Sequence, residues 1–426
     1  MDSGFYCGGM AQGDSTTSRG RAGSDIVVCS PLRTPVGRMG GALAAVTVNQ
    51  LATGLLGELA ARTGIGENDI DDVIFGQGYA NGESPALGRI AALDAGLGIG
   101  VPGTQMDRRC GSGLQAILTG AAHIASGGAD LVVAGGAESM SNVEHYALGL
   151  RTGVGQGGVE LRDRLDRGRL TAGGESHPVA GGMIETAENL RAKYGLSREA
   201  QDRLAAESHR RALAAIEAGR FADEIVPVTV PGGRRGPDVV VDTDEHPRPG
   251  TTVESLGKLR AVRRKLDPDS TVTAGNASGQ NDGAAMVVVT TLADAERRGL
   301  DPMLALRSWA VTGCEPSEMG IGPVGATAKA LSRAGLTLDD LDLIELNEAF
   351  AAQVLAVLAE WGIDADDERL NPNGSGISLG HPIGATGARL VVTAAHEARR
   401  RQAKNILVTM CIGGGQGLAG IFEAVR

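Results

Sequence analysis

The sequence predicts an α/β protein built from two similar halves, each a sheet with helices on its faces. A long region of different character separates them. Three observations carry this prediction. Short β-branched runs alternate with apolar-periodic helices, the pattern of βαβ units and a parallel sheet. The pattern occurs twice: TGIGENDIDDVIFGQGYA, from Thr63, matches AGLTLDDLDLIELNEAFA, from Ala334, with Asp72 aligned on Asp342. Weak self-similarity of this kind indicates a duplication. Between the two copies, charged helices and a Pro/Gly-rich run replace the alternation.

Taken in order, residues 26–29 (IVVC) form a buried strand that Pro31 ends. Residues 48–63 repeat apolar positions at helical spacing and stop at Gly64, the residue a helix C-terminus favours. Residues 72–76 (DVIFG) are a second buried strand. Residues 114–125 are a helix, and 130–134 (DLVVA) a strand closed by Gly135 and Gly136. In the second half, residues 341–346 (LDLIEL) are a strand, 388–399 a helix, and 405–410 a strand ending in Cys411 and three glycines. The intervening stretch holds helices over 185–194 and 199–218 and a Pro/Gly/charge-rich run over 231–250. The resulting division is a disordered Gly/Ser/Thr-rich leader (1–24), an N-terminal half (25–140 plus about 279–302), a loop domain (141–278) and a C-terminal half (303–426).

Composition excludes several function classes. The net charge of −11 argues against a nucleic-acid binder that works by neutralising phosphates. No apolar run approaches the roughly 18 residues of a membrane span. The leader lacks the apolar core of a secretory signal. Five widely spaced cysteines without a CxxC pair indicate neither a disulfide framework nor a zinc site, and a reducing, cytoplasmic setting. Hydrophobic residues make up 42%, enough for a large core.

Four positions have reactive side chains at strand-to-helix turns. Cys110 stands in MDRRCGSGL, between glycines and ahead of a helix, where the positive end of the helix dipole favours thiolate. An inert buried cysteine is the bland alternative. Cys411 closes a strand before GGG, whose exposed N–H groups suit an oxyanion hole. His381 opens a Gly-rich turn; a lone histidine is more often structural. Asn347 follows the strand LDLIEL, as a helix N-cap or as a site residue at a strand's C-terminal end. The remaining histidines offer no HExxH or other metal pattern. Two half-sites facing each other across a pseudo-twofold axis gather all four in one pocket.

The combination resembles the thiolases. It is carried by RCGSG at Cys110, NEAF at Asn347, GHPIGATG around His381 and CIGGG at Cys411. TAGNASGQNDGAA (273–285), TDEHPRP (243–249) and GIGPVGAT (320–327) add to it. The resemblance covers nearly the whole chain after the leader and is nearest to bacterial β-ketothiolases of broad chain range. It implies an αβαβα layered core and a reversible Claisen condensation, acyl-CoA plus acetyl-CoA giving 3-ketoacyl-CoA plus CoA. Coenzyme A is substrate and product, and no cofactor or metal is needed. Cys110 matches the nucleophile, His381 the base that activates it, and Cys411 the acid/base for the α-proton. Asn347 matches the holder of an oxyanion-hole water, and Gly413 with the Cys110 N–H a second oxyanion hole. Met183, Ser278, Met319, Ala349 and Phe350 match pantetheine-pocket positions. The basic cluster Lys258, Arg260, Arg263, Arg264 and Lys265 suits the CoA phosphates. The resemblance also implies a homodimer or homotetramer.

The chain departs from the family pattern at Asp107 and Arg109, which put charge beside the nucleophile turn. It departs again at Gly182, where the family has His, and at Arg263, where it has an aromatic residue. The alternative function is a non-catalytic acyl-CoA or lipid binder on the same scaffold. The presence of both cysteines and His381 argues for an enzyme.

Overall fold

A computed structural model describes residues 23–232 and 236–425. All but two residues of the expected leader, Cys7 included, lie outside that range. The N-terminal half contains β1 (Ile26–Arg33), β2 (Gly37–Arg38), α1 (Val48–Thr63), β3 (Asp72–Gly76), α2 (Leu87–Asp94), β4 (Gly103–Met106), α3 (Ser112–Ala125) and β5 (Leu131–Ser139). The middle region has β6 (His145–Tyr146), β7 (Arg162–Asp163), α4 (Arg164–Leu170), α5 (Gly182–Tyr194), α6 (Arg198–Glu217), β8 (Val228–Val230), β9 (Val239–Val241) and α7 (Val253–Gly257). The chain then returns to the core through β10 (Asn281–Thr291) and α8 (Leu292–Arg298). The C-terminal half follows as β11 (Pro302–Gly313), α9 (Gly322–Ala334), β12 (Leu343–Leu346), α10 (Ala351–Trp361), α11 (Gly376–Leu379), α12 (Ile383–Arg401), β13 (Asn405–Ile412) and β14 (Gln416–Ala424).

Local chemistry accounts for the clearest boundaries. Thr47 and Gln50 form a reciprocal capping box at the start of α1, and Gly64 ends it in the left-handed conformation.

The strand order is β12-β13-β14-β11-β1-β10-β5-β3-β4. Read inward from either end, each half gives a parallel group (β4-β3-β5 or β12-β13), an antiparallel strand (β10 or β14) and a seam strand (β1 or β11). The two seam strands pair antiparallel. The duplication is therefore visible as a near-palindrome. The sheet of each half is mixed, not all parallel as the alternation predicts. β10 returns beside β5 only after the long middle region, and β14 folds back on β13 through the three-residue turn 413–415; helix–strand alternation encodes neither direction.

The layers follow from which faces are apolar. α1 and α2 cover the outer face of the N-terminal half-sheet, and α9 and α10 that of the C-terminal half-sheet. Between the half-sheets lie α3 and α12, packed on each other and buried in a core that draws from both, including Ile74, Val132, Val287, Ile406, Val408 and Phe422. The αβαβα arrangement expected from the resemblance is thus present. A Cβ at Gly387 would lie 2.4 Å from the Leu114 nitrogen, and one at Gly113 would lie 2.8 Å from the Ala388 nitrogen. Glycine is what lets the two central helices approach this closely.

Several predicted boundaries are corrected. β1 continues past Pro31 to Arg33, through a register shift between Cys29 and Leu32 where Ser30 has φ 49°. A bulge is where a sheet tolerates proline. β5 runs through Gly135 and Gly136 to Ser139. A Cβ at Gly136 would meet the Gly384 carbonyl oxygen at 2.0 Å, so glycine there marks close packing, not a turn. Cys411 lies inside β13, not beyond it. α12 begins at Ile383, so most of the turn read before it is already helical. Asn347 does not cap a helix: α10 starts at Ala351 after Phe350.

Candidate active site

Cys110 and His381 occupy equivalent places in the two halves, each just before a central helix. Arg109–Gly111 form a single 3₁₀ turn that leads into α3. Ser112 Oγ fixes this turn by accepting from the Arg108 N–H at 2.8 Å and donating to the Arg109 carbonyl at 2.7 Å. Asp107 Oδ1 accepts from the Arg109 N–H at 2.7 Å, and Arg109 holds φ 47°. A non-glycine residue in that region is strained, and such strain is held where the surroundings over-determine it. The Cys110 sulfur is the point these constraints aim.

The Cys110 thiol is not the low-pKa group predicted from the helix dipole. Burial raises its pKa, against the opposing pull of the Gly413 N–H, the Arg109 charge and its own backbone N–H. Desolvation disfavours the charged form more than these donors favour it. The resting side chain is a thiol, with two backbone donors already directed at its sulfur.

His381 is buried, and burial, then the Arg389 charge, lowers its pKa to about 3. The imidazole is therefore neutral, and its tautomer can be read from its partner. Thr386 Oγ1 donates to the Pro382 carbonyl at 2.9 Å, so toward His381 Nδ1, 2.6 Å away, it acts as acceptor. The proton sits on Nδ1, and Nε2 is left as an acceptor without a partner among the described residues. Asn281 Oδ1 holds the His381 backbone N–H at 2.9 Å. Its Nδ2 donates to the Gly37 carbonyl at 2.9 Å and lies 3.2 Å from His246 Nδ1.

Eight of the ten sequence-predicted site residues line one cavity of about 370 Å³: Cys110, His381 and Gly413 together with Met183, Ser278, Met319, Ala349 and Phe350. The other two stand behind its wall. Cys411 is fully buried against Met319, Ala349 and Phe350, and burial, then the nearby Cys110 and Cys314 sulfurs, raise its pKa well above that of a free thiol. Asn347 is fully buried at the end of β12, held by its N–H on the Thr409 carbonyl at 3.0 Å, while neither polar atom of its amide has a partner among the described residues. An orphaned buried amide calls for a ligand or water.

The glycines after Cys411 have backbone reasons. Gly414 and Gly415 sit at φ 90° and 80°, and a Cβ at Gly415 would meet the Cys314 carbonyl oxygen at 2.3 Å. This turn presents the Gly413 N–H to Cys110.

Sequence reasoning missed three supporting residues. Thr386 lies within the quoted GHPIGATG motif, five positions after the histidine, where a helix's first turn folds it back. Asn281 lies in the quoted NDG segment. Glu138, fully buried, accepts from the N–H groups of Gly78 (2.8 Å), Tyr79 (3.4 Å) and Gly384 (3.1 Å), tying the β3 end to the start of α12. Burial raises its pKa to about 7. TDEHPRP also gains a structural meaning. Asp244 pairs with buried Arg33 at 2.7 Å, and Glu245 accepts from the Arg38 N–H at 2.8 Å. Among the described residues no cluster of His, Cys, Asp or Glu could hold a metal ion, and no helix is long and apolar enough to cross a membrane. The four described cysteines are free.

Comparison with known proteins shows the family of the chain. The thiolase N-terminal domain matches residues 26–293, and the thiolase C-terminal domain residues 300–424. An acetyl-CoA acetyltransferase of Pseudomonas aeruginosa is 48% identical over 396 residues, covering 93% of this chain and 98% of the relative. The beta-ketothiolase BktB of Cupriavidus necator is 49% identical over 402 residues, covering 94% and 99%. The crystal structure of the Bacillus anthracis acetyl-CoA acetyltransferase superposes with a TM-score of 0.89 at 42% identity, covering 94% of this chain and 99% of that one.

Proposed function

The chain belongs to the thiolase family and is an acetyl-CoA C-acyltransferase, and we propose that Cys110, His381 and Cys411 divide its chemistry between them. The observation that carries this division is that Cys110 and His381 line the same cavity, with His381 Nε2 lacking a partner among the described residues.

In the cleavage direction His381 Nε2 takes the Cys110 thiol proton as the sulfur adds to the C3 ketone of a 3-ketoacyl-CoA. The C2–C3 bond then breaks. Its electron pair leaves on the acetyl-CoA enolate, which Cys411 protonates, and the acyl group remains on Cys110 as a thioester. Coenzyme A gives its thiol proton to the Cys411 thiolate, attacks that thioester and departs as acyl-CoA, while His381 returns its proton to the Cys110 sulfur. Condensation is the reverse, with the Cys411 thiolate removing the α-proton of acetyl-CoA. Covalent capture splits one difficult exchange into two easier ones.

The charge that develops on oxygen needs donors placed beforehand, each worth roughly 3 kcal/mol of barrier. The Gly413 and Cys110 N–H groups, already directed at the sulfur, serve one oxyanion. His381 and a water held by the Asn347 amide serve the other. Burial raises the thiol pKa and lowers the imidazole pKa. Both effects keep the resting pair neutral, so proton transfer awaits a substrate oxygen in these holes.

Met183, Ser278, Met319, Ala349 and Phe350 contact the pantetheine arm in this reading. The loop domain over 141–278 brings the exposed cations Lys258, Arg260, Arg264 and Lys265 beside Val262, which lines the cavity. They meet the CoA phosphates. Arg263 contributes less, being paired with Glu185 at 2.7 Å. Acetoacetyl-CoA and short-to-medium 3-ketoacyl-CoA are the proposed substrates, in a cytoplasmic homodimer or homotetramer.

The test is CoA-dependent cleavage of a 3-ketoacyl-CoA series from acetoacetyl-CoA to long chains, with the enzyme-bound acyl group followed by mass. Cleavage of the short members and loss of the acyl-enzyme in Cys110→Ala are expected. No cleavage at any length, or acylation persisting in Cys110→Ala, overturns the reading. Sedimentation equilibrium decides the assembly.

A further inference from the structure

The cavity is mainly apolar, but its wall holds two guanidinium groups, Arg109 and Arg169. Arg109 is the immediate neighbour of Cys110. It donates to the Gly78 carbonyl at 3.1 Å and lies over the Tyr79 ring, 5.8 Å from its centroid. Its nearest carboxylate, Asp107, is at the 4.0 Å limit of an ion pair and half exposed. Arg169 comes from α4. Its guanidinium is met by the Gln280 side-chain oxygen, and among the described residues no carboxylate is within ion-pair distance of it.

The two cations converge. A Cβ on Gly168, the residue before Arg169, would lie 3.0 Å from the Tyr79 ring and 3.5 Å from Arg109 Nη1. Both guanidinium charges act on the Tyr79 hydroxyl, and so does Cys110. The positive end of the cavity is therefore on the nucleophile's side. The acids nearby do not neutralise it. Asp166 lines the cavity but is exposed and paired with neither cation, and Glu138 is occupied by three backbone N–H groups.

Arg109 and Arg169 are both half-buried, and neither has a close carboxylate partner among the described residues, so an anion that reaches this part of the cavity gains charge-assisted contacts there. A hydrocarbon acyl chain offers these two groups nothing. The phosphates of CoA do not fit either, because the whole pantetheine arm separates them from the sulfur that reacts at Cys110. The remaining candidate is the far end of the acyl group itself. We infer that the acyl site is built for chains ending in a carboxylate, so that the preferred substrates are 3-oxodicarboxylyl-CoA thioesters. This rests on the thiolase chemistry proposed above and narrows its substrate. Cleavage of the six-carbon member would leave a succinyl group on Cys110, its free carboxylate within the reach of a planar two-nitrogen fork.

The experiment compares thiolysis of 3-oxoadipyl-CoA and 3-oxohexanoyl-CoA, which share chain length and differ in the terminal group. The wild type should show kcat/KM at least about tenfold higher for the acid, the discrimination expected of one charge-assisted contact. Arg109→Leu and Arg169→Met should each lower that ratio tenfold or more, and Arg109→Lys should restore part of it. Adipyl-CoA, which cannot be cleaved, should inhibit more strongly than hexanoyl-CoA in the wild type only. Should Arg109→Leu fail to fold, Arg169→Met and the inhibitor pair carry the test. Preference for the neutral substrate, or equal loss on both substrates in the variants, overturns the inference while leaving the thiolase chemistry intact. Cleavage of neither substrate overturns both.

Discussion

Replacing Thr386 by Val separates the base from the residue that sets its tautomer. The two side chains have nearly the same shape, and position 386 is fully buried, so the change removes an oxygen with little loss of packing. In the wild type the His381 Nδ1 proton rests on that oxygen at 2.6 Å. Without it the Nδ1–H form keeps a buried donor with no acceptor, which costs about 1–3 kcal/mol. The ring can then move the proton to Nε2, but Nε2–H cannot accept the thiol proton. Each 1.4 kcal/mol is a factor of ten in population, so the competent fraction, and the acylation rate with it, should fall about 5- to 100-fold. Nε2 too has no partner among the described residues, so the tautomer change gives no relief and folding stability should fall by about 1–3 kcal/mol. Rapid-mix mass spectrometry of acyl-Cys110 gives the rate, and ¹⁵N chemical shifts of His381 give the tautomer. Thr386→Ser should recover most of the rate. Wild-type acylation in Thr386→Val with the proton still on Nδ1, or an equally slow serine variant, would refute the reasoning.

Three further outcomes are expected. Cys411→Ala should slow condensation by about 100-fold or more, while acylation of Cys110 stays detectable by mass; lost acylation with retained condensation would reverse the two roles. Gly387→Ala should cost about 1–3 kcal/mol in denaturant melts and abolish acyl-enzyme formation, because its new Cβ would press on Leu114; an unchanged melt would remove close packing as the reason for glycine there. Glu345 is fully buried with neither oxygen partnered among the described residues, and burial, opposed by Arg389, raises its pKa to about 8 from the ordinary 4.5. The folded form then holds a proton that the unfolded chain lacks, so its contribution is present below about 4.5 and lost as pH rises through about 8. Glu345→Gln should flatten the stability profile across that window by about 1.4 kcal/mol per pH unit; a difference that does not vary with pH would show an ionised Glu345.

The parts legible in the sequence are those whose causes are local. The limits of α1 and β3 match the structure because a capping box, a C-terminal glycine and a short apolar run each lie within a few residues. Cys110, His381 and Gly413 were readable because a reactive side chain amid glycines has little other use. What was not legible depends on distant partners. Gly136 reads as a strand end but exists to let α12 approach. The direction of β10 is decided by a chain return of some length through the middle region, whereas that of β14 is set by the glycine turn 413–415, whose hairpin the helix–strand alternation hides. The Cys110 pKa follows the helix dipole only if the turn is exposed, and burial, which the sequence does not report, reverses the sign. Thr386 needed the helix to begin at Ile383 before its hydroxyl could be placed under the ring.

The near-palindromic strand order bears on how such a site arises. A chain of half this length, pairing with its own copy through the edge now formed by β1 and β11, would enclose the same space with two identical central-helix turns. Identical turns would offer two nucleophiles or two bases, never one of each. Joining the copies into one polypeptide removed that constraint of symmetry. Equivalent backbone positions carry Cys110 on one side and His381 on the other. The division of labour in the cavity is a difference between side chains on a framework that remains nearly symmetric.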